Sequence, residues 1–199
     1  MRERQDLQVV TVLLDEAGLD DYTDRFDSEA FRQEVRDQYD VPSDGGDVAR
    51  YLAGEAHPDP AIVGPWREWL RDQCRCGRVV RRVRVLYRPP SRYVSYECEW
   101  AYTRSIDAGE DIRVLDLVEQ APPAGLIGEE FWLLDRSRAV VLCYDHAGRF
   151  RHGQTAEGPD ASRWVACRDA VWAAAEPFTQ WWDRHPEYHR AAWLKPASA

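Results

Sequence analysis

Arg-Val-Val-Arg-Arg-Val-Arg-Val-Leu-Tyr-Arg, residues 78–88, is the segment from which the architecture of this chain can be inferred. Apolar and basic side chains recur there with period two, and this alternation predicts a β-strand. Arg82, Arg84 and Arg88 fall on the same face of that strand. Pro89-Pro90 ends it, because a proline nitrogen carries no hydrogen for the ladder of a sheet.

The segments on either side of this strand follow helical spacing. One helix is predicted through Trp66 and Cys74, and it ends at Gly77. After the strand, Tyr93, Tyr96 and Trp100 fit either a helix capped by Ser91 or another strand, and we favour the helix. Further upstream, the apolar run 9–14 fits either a helix or a short strand. Helical spacing predicts two more helices there, one with Phe31, Val35 and Tyr39 and a short one with Val48, Tyr51 and Leu52.

From Asp111 onward, short β-type segments alternate with turn residues, which indicates an antiparallel meander. Its predicted strands are 112–118, 131–134, 139–144 and 149–155. A final helix begins at Gly158, and Pro177 separates it from an aromatic tail with three tryptophans. We therefore predict an α+β fold in which an antiparallel β-meander packs against N-terminal and C-terminal helices. The predicted organisation is a single domain over 1–199, with a helical region at 1–77, a sheet region at 78–157 and C-terminal helices at 158–195.

The composition argues against several classes of protein. The chain has 199 residues, of which 44% are hydrophobic, and this suits one large core. No segment approaches the ~20 apolar residues of a membrane span, and the N-terminus lacks the apolar stretch of a secretory signal. We expect a cytoplasmic protein with no membrane partner. Five cysteines and five histidines show no paired spacing of metal ligands, so we expect no metal and no cofactor.

Arginine is concentrated between residues 67 and 92, although the net charge of the chain is −9. Nine arginines and two acids give this segment a charge of +7. Guanidinium groups bind phosphate with two parallel hydrogen bonds, and phosphate contacts dominate the affinity for nucleic acids. Two interpretations stay open: the arginines form a solvated face, or they form an RNA-binding surface composed of Arg71, Arg75, Arg78, Arg82, Arg84 and Arg88.

A second group of residues is acidic and aromatic. Glu97 lies in Tyr-Glu-Cys-Glu-Trp at 96–100, and Glu110 and Asp111 follow Gly109 at the start of a strand. Carboxylates that lie close together can move a proton or bind an ammonium group, so Glu97, Glu110 and Asp111 are candidate catalytic residues. The pair 110–111 also fits a turn with a surface ion pair. Tyr144 and Asp145 fit either a core strand with its turn or the lining of a substrate pocket.

Several of these segments together resemble an uncharacterised domain family that is widespread in actinobacteria. They are Glu97, Ala-Gly-Glu-Asp-Ile-Arg at 108–113, Phe-Trp-Leu-Leu-Asp at 131–135 and Tyr-Asp-His-Ala-Gly-Arg-Phe at 144–150. The resemblance covers nearly the whole chain, about residues 22 to 183. Family members often carry Asn four residues before the Gly, where this chain has Ser105. The family is in turn similar to the arginine-containing cyclodipeptide synthases first recognised in fungi.

The resemblance implies two functions. One is a tRNA-dependent aminoacyl transferase that forms an arginine-containing cyclodipeptide from charged tRNAs. The arginine segment would then bind phosphates, Glu97, Glu110 or Asp111 would bind the guanidinium or deprotonate the amine, and Trp100, Tyr102 and Tyr144 would line the side-chain pocket. The other is a non-catalytic protein that partners a helix-turn-helix transcriptional regulator, beside which family members are often encoded.

Overall fold

The computed structural model describes residues 11–194, and one mixed sheet of eight strands forms their centre. The strands are β1 (Leu13–Leu14), β2 (Glu29–Glu34), β3 (Val79–Leu86), β4 (Asp111–Asp116), β5 (Phe131–Leu134), β6 (Arg138–Tyr144), β7 (Phe150–Glu157) and β8 (Glu176–Pro177). They lie in the order β1-β7-β6-β5-β2-β3-β4-β8. The helices are α1 (Glu16–Thr23), α2 (Asp47–Leu52), α3 (Pro60–Arg75), α4 (Arg92–Tyr96), α5 (Thr103–Asp107), α6 (Ser162–Ala174), α7 (Phe178–Asp183) and α8 (Arg190–Trp193).

The strand that the alternating sequence predicts is β3, and the structure places it in the interior of the sheet. It pairs in parallel with β2 on one side and with β4 on the other. Parallel neighbours need crossover connections, and α2 with α3 and then α4 with α5 provide them. The predicted α+β fold is confirmed, including the helix that ends at Gly77, where φ is +75°.

The antiparallel meander is shorter than the sequence predicts. Strands β5, β6 and β7 form it as consecutive antiparallel neighbours. The prediction that it starts with the strand at 112–118 was wrong, because β4 pairs with β3 and with β8 instead. Turn chemistry indicates hairpins between neighbours in sequence, but it carries no signal for parallel pairing across a helical crossover.

The helix predicted through Phe31, Val35 and Tyr39 was wrong, since its first half is β2. This strand pairs in parallel with β3 and antiparallel with β5, so both of its edges are paired, and every residue of it except Glu29 is buried. Arg32 and Glu34 on one face are each 5% exposed. Because buried positions of β2 hold charged residues, its sequence lacks the alternation of apolar and polar residues by which a strand is recognised. The spacing of the apolar and aromatic residues there is instead typical of a helix.

Different helices cover the two faces of the sheet. Helix α6 packs on one face through Trp164, Cys167 and Val171. On the other face, which we call the site face, lie α3, α7 and the continuous helical segment 92–107. No helix within residues 11–194 has the length and apolar character that crossing a membrane requires.

Candidate functional site

A cavity of about 380 Å³ lies between the site face and the helices that cover it. This volume falls in the range of pockets that hold small organic ligands. Its wall combines seven aromatic side chains with seven charged ones, and aliphatic side chains and Ser105 complete it. The lining includes Tyr39, Trp66, Tyr93, Tyr96, Tyr102, Trp132 and Tyr144, together with Arg32, Glu34, Asp44, Arg67, Arg82, Glu97 and Arg104.

The helical segment 92–107 forms one wall of the cavity. It begins at Ser91, whose hydroxyl accepts a hydrogen bond from the Val94 amide at 3.1 Å. Between Glu97 and Tyr102 the helix widens into a π-helical turn. Such a turn brings residues five apart onto one face, and π-helical turns are frequent at functional sites. As a result, Glu97 and Tyr102 both contact the same residue, Arg84 of β3.

Arg84 is the centre of a buried network of charges. Its Nη2 atom donates to Glu34 Oε2 at 2.9 Å and to Glu97 Oε2 at 2.5 Å. Its Nε atom donates to the Tyr102 hydroxyl at 2.7 Å, and that hydroxyl donates to Glu34 at 2.6 Å. The Arg84 side chain is 1% exposed. A charge this deeply buried needs such partners to offset its loss of hydration.

Arg82 extends this network toward the start of β4. Its Nη1 atom donates to Glu34 Oε1 at 2.6 Å, and its Nε atom donates to Glu110 Oε1 at 2.8 Å. The two arginines therefore share Glu34 between them. Glu97 has only Arg84 as an ionic partner within 4 Å among residues 11–194.

The two carboxyls on Arg84 differ in their pKa. Burial by itself raises the pKa of Glu34, but Arg82 and Arg84 outweigh it and lower that pKa to about 2. Burial raises the pKa of Glu97 to about 8, although Arg84 acts in the opposite direction. Burial also raises the pKa of Asp44 to about 6, against a hydrogen bond from Tyr93. The cavity therefore contains one firmly ionised carboxylate, Glu34, and two carboxyls, Glu97 and Asp44, whose pKa values burial raises.

Arg32 contributes an unused donor. Glu130 accepts from the Val35 and Arg36 amides at 3.0 Å each and from Arg32 Nη2 at 3.1 Å. The Tyr144 hydroxyl lies 3.4 Å from the same Arg32 atom. Arg32 Nη1 is buried and has no hydrogen-bond partner within the described structure. Arg32 is a lining residue of the cavity, so this unpaired amino group belongs to the cavity wall.

The structure brings together some of the predicted catalytic and substrate-binding residues. Glu97, Tyr102 and Tyr144 all line the cavity. Glu110 is 2% exposed and lies behind the wall, where it contacts Arg82. Asp111 lies on the opposite face of the sheet with half of its side chain exposed.

Two of the predicted substrate-binding residues are structural. Trp100 packs edge-on against Tyr51, with their ring centroids 5.3 Å apart, and it does not line the cavity. The Asp145 carboxylate accepts hydrogen bonds from the backbone amides of Ala147 and Arg149 at 2.9 and 3.0 Å. Asp145 therefore holds the turn between β6 and β7, and its predicted place in the pocket was wrong.

The predicted RNA-binding arginines do not share one surface. Arg71 and Arg75 are exposed on α3, and Arg88 is exposed beyond β3. Arg78 is half-buried, with its guanidinium over the Phe26 ring. The predicted phosphate face of β3 was wrong for Arg82 and Arg84, because that face lies under the helices and both guanidinium groups bind carboxylates.

Several cavity residues were missed by reasoning from sequence. Arg32 and Glu34 lie in the segment interpreted as a helix, where their alternation toward one face was not recognised. Asp44 lies in a 3₁₀ turn, Pro42–Asp44, and reaches the cavity through its contact with Tyr93 at 2.8 Å. The period-two pattern Arg32-Gln-Glu34 was the available signal, since a charged pair with strand spacing indicates one face of a strand.

A group with metal-binding chemistry lies elsewhere, where the ligand atoms of Asp116, Glu119 and His185 lie within 4.8 Å of one another. Asp116 already accepts from the Trp181 indole at 3.0 Å and from the Val118 amide at 2.9 Å. The Arg184 guanidinium binds the Glu119 carboxylate. A cation in this group would compete with that arginine, so the cluster is satisfied as a structural ion-pair network.

A family model described as a domain of unknown function, DUF6879, matches residues 17–183. No curated protein is significantly similar to the chain. Among solved structures, the chain is similar to Nuc from Salmonella typhimurium, a phospholipase D family member, with 10% identity, a TM-score of 0.46 and coverage of 85% of this chain and 97% of that one. It is also similar to TrmBL2, an archaeal chromatin protein, with 9% identity, a TM-score of 0.41 and coverage of 90% of this chain and 54% of that one. Similarity at this level carries no argument about function.

Proposed function

We propose, given that this chain belongs to the DUF6879 family of domains of unknown function, that it is a tRNA-dependent aminoacyl transferase that forms an arginine-containing cyclodipeptide. The observation that supports the proposal is the pair of carboxyls with raised pKa, Glu97 and Asp44, in an aromatic cavity. A guanidinium or ammonium group is the ligand chemistry that such a pair favours.

The first supporting step concerns binding of the cationic group. A buried carboxyl with a raised pKa lacks sufficient positive charge around it, so a cationic ligand favours its ionised form. Tyr93 lies between the two acids: its hydroxyl donates to Asp44 at 2.8 Å, and Glu97 and Asp44 both raise its pKa in addition to burial. The faces of Tyr93 and Tyr96 add cation–π attraction for a guanidinium.

The second step concerns the proton. An aminoacyl ester is already activated, so an α-amine nitrogen can attack its carbonyl carbon once the amine has lost a proton. A carboxyl with a pKa of about 8 is matched to this transfer near neutral pH. Ionised Glu97 takes the proton from the amine, the C–N bond forms as the ester C–O bond breaks, and the ribose hydroxyl oxygen receives that proton from Glu97 as it leaves. A second step of the same kind, in which the free amine of the dipeptidyl ester attacks its own ester carbonyl, closes the ring and releases the second tRNA.

The third step concerns the carbonyl oxygen, which gains negative charge during the attack. Arg32 Nη1 is a buried donor without a partner, and it belongs to a residue of the cavity wall. A fixed donor in a site that excludes water stabilises such charge far better than the same donor in solvent. Arg32 is therefore the residue that we assign to the carbonyl oxygen.

The test uses the purified full-length protein with a mixture of charged tRNAs that contains arginyl-tRNA labelled on arginine. The expected product is a labelled cyclic dipeptide, identified by mass spectrometry. Glu97→Gln should lower its rate of formation by roughly 10²–10⁴, the range for loss of a general base. Glu187→Gln, which neutralises an exposed carboxyl that does not line the cavity, is the matched control and should keep the wild-type rate.

Folded wild-type protein that makes no labelled dipeptide from any charged tRNA would refute the proposal. In that case the alternative, a non-catalytic partner of a helix-turn-helix regulator, is tested by affinity capture from the native host. Specific enrichment of a DNA-binding protein by the wild type, unchanged in Glu97→Gln, would support the partner function.

A further inference from the structure

We infer that Arg67 and Arg104 form a phosphate subsite at the mouth of the cavity. Both residues line the cavity, and both also line an adjoining open cleft of about 370 Å³. They are therefore at the junction of the two spaces. Arg71, one turn further along α3 from Arg67, lines the same cleft.

The charges of the two arginines are not neutralised by the protein. Within residues 11–194, neither guanidinium has a carboxylate oxygen within 4 Å, in contrast to the paired arginines of the buried network. Arg104 Nη1 donates to the Trp100 carbonyl at 2.9 Å, and Arg67 Nε is buried without a hydrogen-bond partner. Burial and the neighbouring Arg67 lower the pKa of Arg104, while Asp107 and Asp47 act weakly in the opposite direction.

Two like charges held together in a partly buried place repel each other, and an anion between them removes that repulsion. Phosphate fits this arrangement because a guanidinium fork binds two of its oxygens at once. Glu68, the residue that follows Arg67, is exposed and lines the same cleft. Carboxyls with raised pKa and two arginines that have no carboxylate partner among residues 11–194 therefore line the same cavity.

The helical segment 92–107 sets the distance between one carboxyl and one arginine of this lining. Glu97 and Arg104 are seven residues apart on it. In a regular α-helix this would be roughly 10 Å along the axis, and the π-helical turn at Glu97–Tyr102 makes it somewhat shorter here. In an aminoacyl ester of a terminal nucleotide, eight bonds separate the α-amine from the 5′ phosphorus, a span of roughly 9 Å when extended. This match rests on the proposed function, and it assigns the subsite to the last phosphodiester of an RNA 3′ end.

The test measures binding of the dinucleotide CpA, the last two nucleotides of a tRNA, by calorimetry at fixed ionic strength. CpA should bind to the wild type, and adenosine, which lacks the phosphate, should bind at least tenfold more weakly. Arg67→Met and Arg104→Met should each lower the affinity for CpA roughly tenfold, the usual worth of a charged hydrogen bond. Arg104→Lys keeps the charge without the fork and should give an intermediate affinity.

Arg163→Met is the matched control, because Arg163 is an exposed arginine on α6, against the opposite face of the sheet. It should bind CpA as the wild type does. Equal affinity for CpA in the wild type and both methionine variants would overturn the subsite, and so would the absence of CpA binding. Failure of the proposed function has a different signature: phosphate-dependent binding of CpA at Arg67 and Arg104, with no dipeptide formed from charged tRNA.

Discussion

The pKa of Glu97 makes a prediction that does not depend on knowing the substrate. Replacing Glu97 with Gln keeps an oxygen that can accept from Arg84 at the position of the 2.5 Å contact, and it removes the titration of the group. In the unfolded chain the carboxyl has its ordinary pKa, 4.5, whereas burial raises the pKa in the folded protein to about 8. The folded state therefore binds this proton more tightly than the unfolded state does.

The sign and size of the effect follow from proton linkage. Below pH 4.5 the group is protonated in both states, so it adds no pH dependence. Between pH 4.5 and 8 the unfolded chain loses the proton first, so the free energy of unfolding falls as the pH rises. Each pH unit in this window is worth about 1.36 kcal/mol, and the total loss from Glu97 is about 5 kcal/mol. Above pH 8 the contribution is constant.

The assay is urea unfolding, followed by tryptophan fluorescence, at half-unit steps from pH 4.5 to 9. Urea is required because guanidinium is itself a cation that would enter the proposed site. The wild type should lose about 5 kcal/mol more stability across this window than Glu97→Gln. Asp44, whose pKa is raised to about 6, is present in both proteins and cancels in the difference.

Glu68→Gln is the matched control, since it removes an exposed carboxyl from the same half of the chain. It should follow the pH profile of the wild type. If Glu97→Gln and the wild type lose stability in parallel between pH 4.5 and 8, Glu97 has an ordinary pKa. The argument for its role as a base would then fail with it.

Three further variants test the network and the backbone around the site. Arg82 and Arg84 outweigh burial and lower the pKa of Glu34 to about 2. The contribution of Glu34 to the free energy of unfolding, about 3 kcal/mol, should therefore disappear as the pH falls from 4.5 to 2. Urea unfolding of Glu34→Gln should lack this acid dependence. Arg84→Met leaves buried carboxylates without their cation and should lower stability at pH 7 by about 3–5 kcal/mol; a loss below 1 kcal/mol would contradict the network. Gly109 has φ +110°, and an added Cβ would overlap Cys74 Sγ, so Gly109→Ala should lower the free energy of unfolding by roughly 2 kcal/mol. Adding Cys74→Ala should recover only some of this loss, because it removes the overlap and leaves the backbone strain.

Local sequence patterns predicted the secondary structure of those segments whose conformation depends on residues close to them in the sequence. The alternation at β3 and the turn residues of β5, β6 and β7 depend on local spacing, and these elements were predicted correctly. Ser91 was recognised as a helix cap from its side chain alone, and its contact with the Val94 amide confirms the helix. Glu97 was recognised as a candidate because acidic and aromatic residues surround it in the sequence.

The strand β2 and the arrangement of the site could not be predicted in this way, because they depend on contacts between residues that are far apart in the sequence. Arg32 and Glu34 are buried next to residues of β3, of the helical segment 92–107 and to Glu130, which precedes β5. These neighbours come from 48 to 98 positions away along the chain. The burial that raises the pKa of Glu97 and the neighbours that lower the pKa of Glu34 arise only when these segments meet. The arginines of the segment 67–92 show the same dependence. Their number and spacing are properties of the sequence, but only the folded chain divides them into buried partners of carboxylates and the exposed residues of α3.

Periodicities, turns and the concentration of arginine are set by the order of residues along the chain, because each depends on residues a few positions apart. Which charges face one another and which face solvent is set by the packing of distant segments. The physical reason is that the energy of a charge depends on its hydration and on its neighbours in space. That is why Arg84 became the buried centre of a network, while Arg67 and Arg104 line the cavity without a carboxylate partner among residues 11–194.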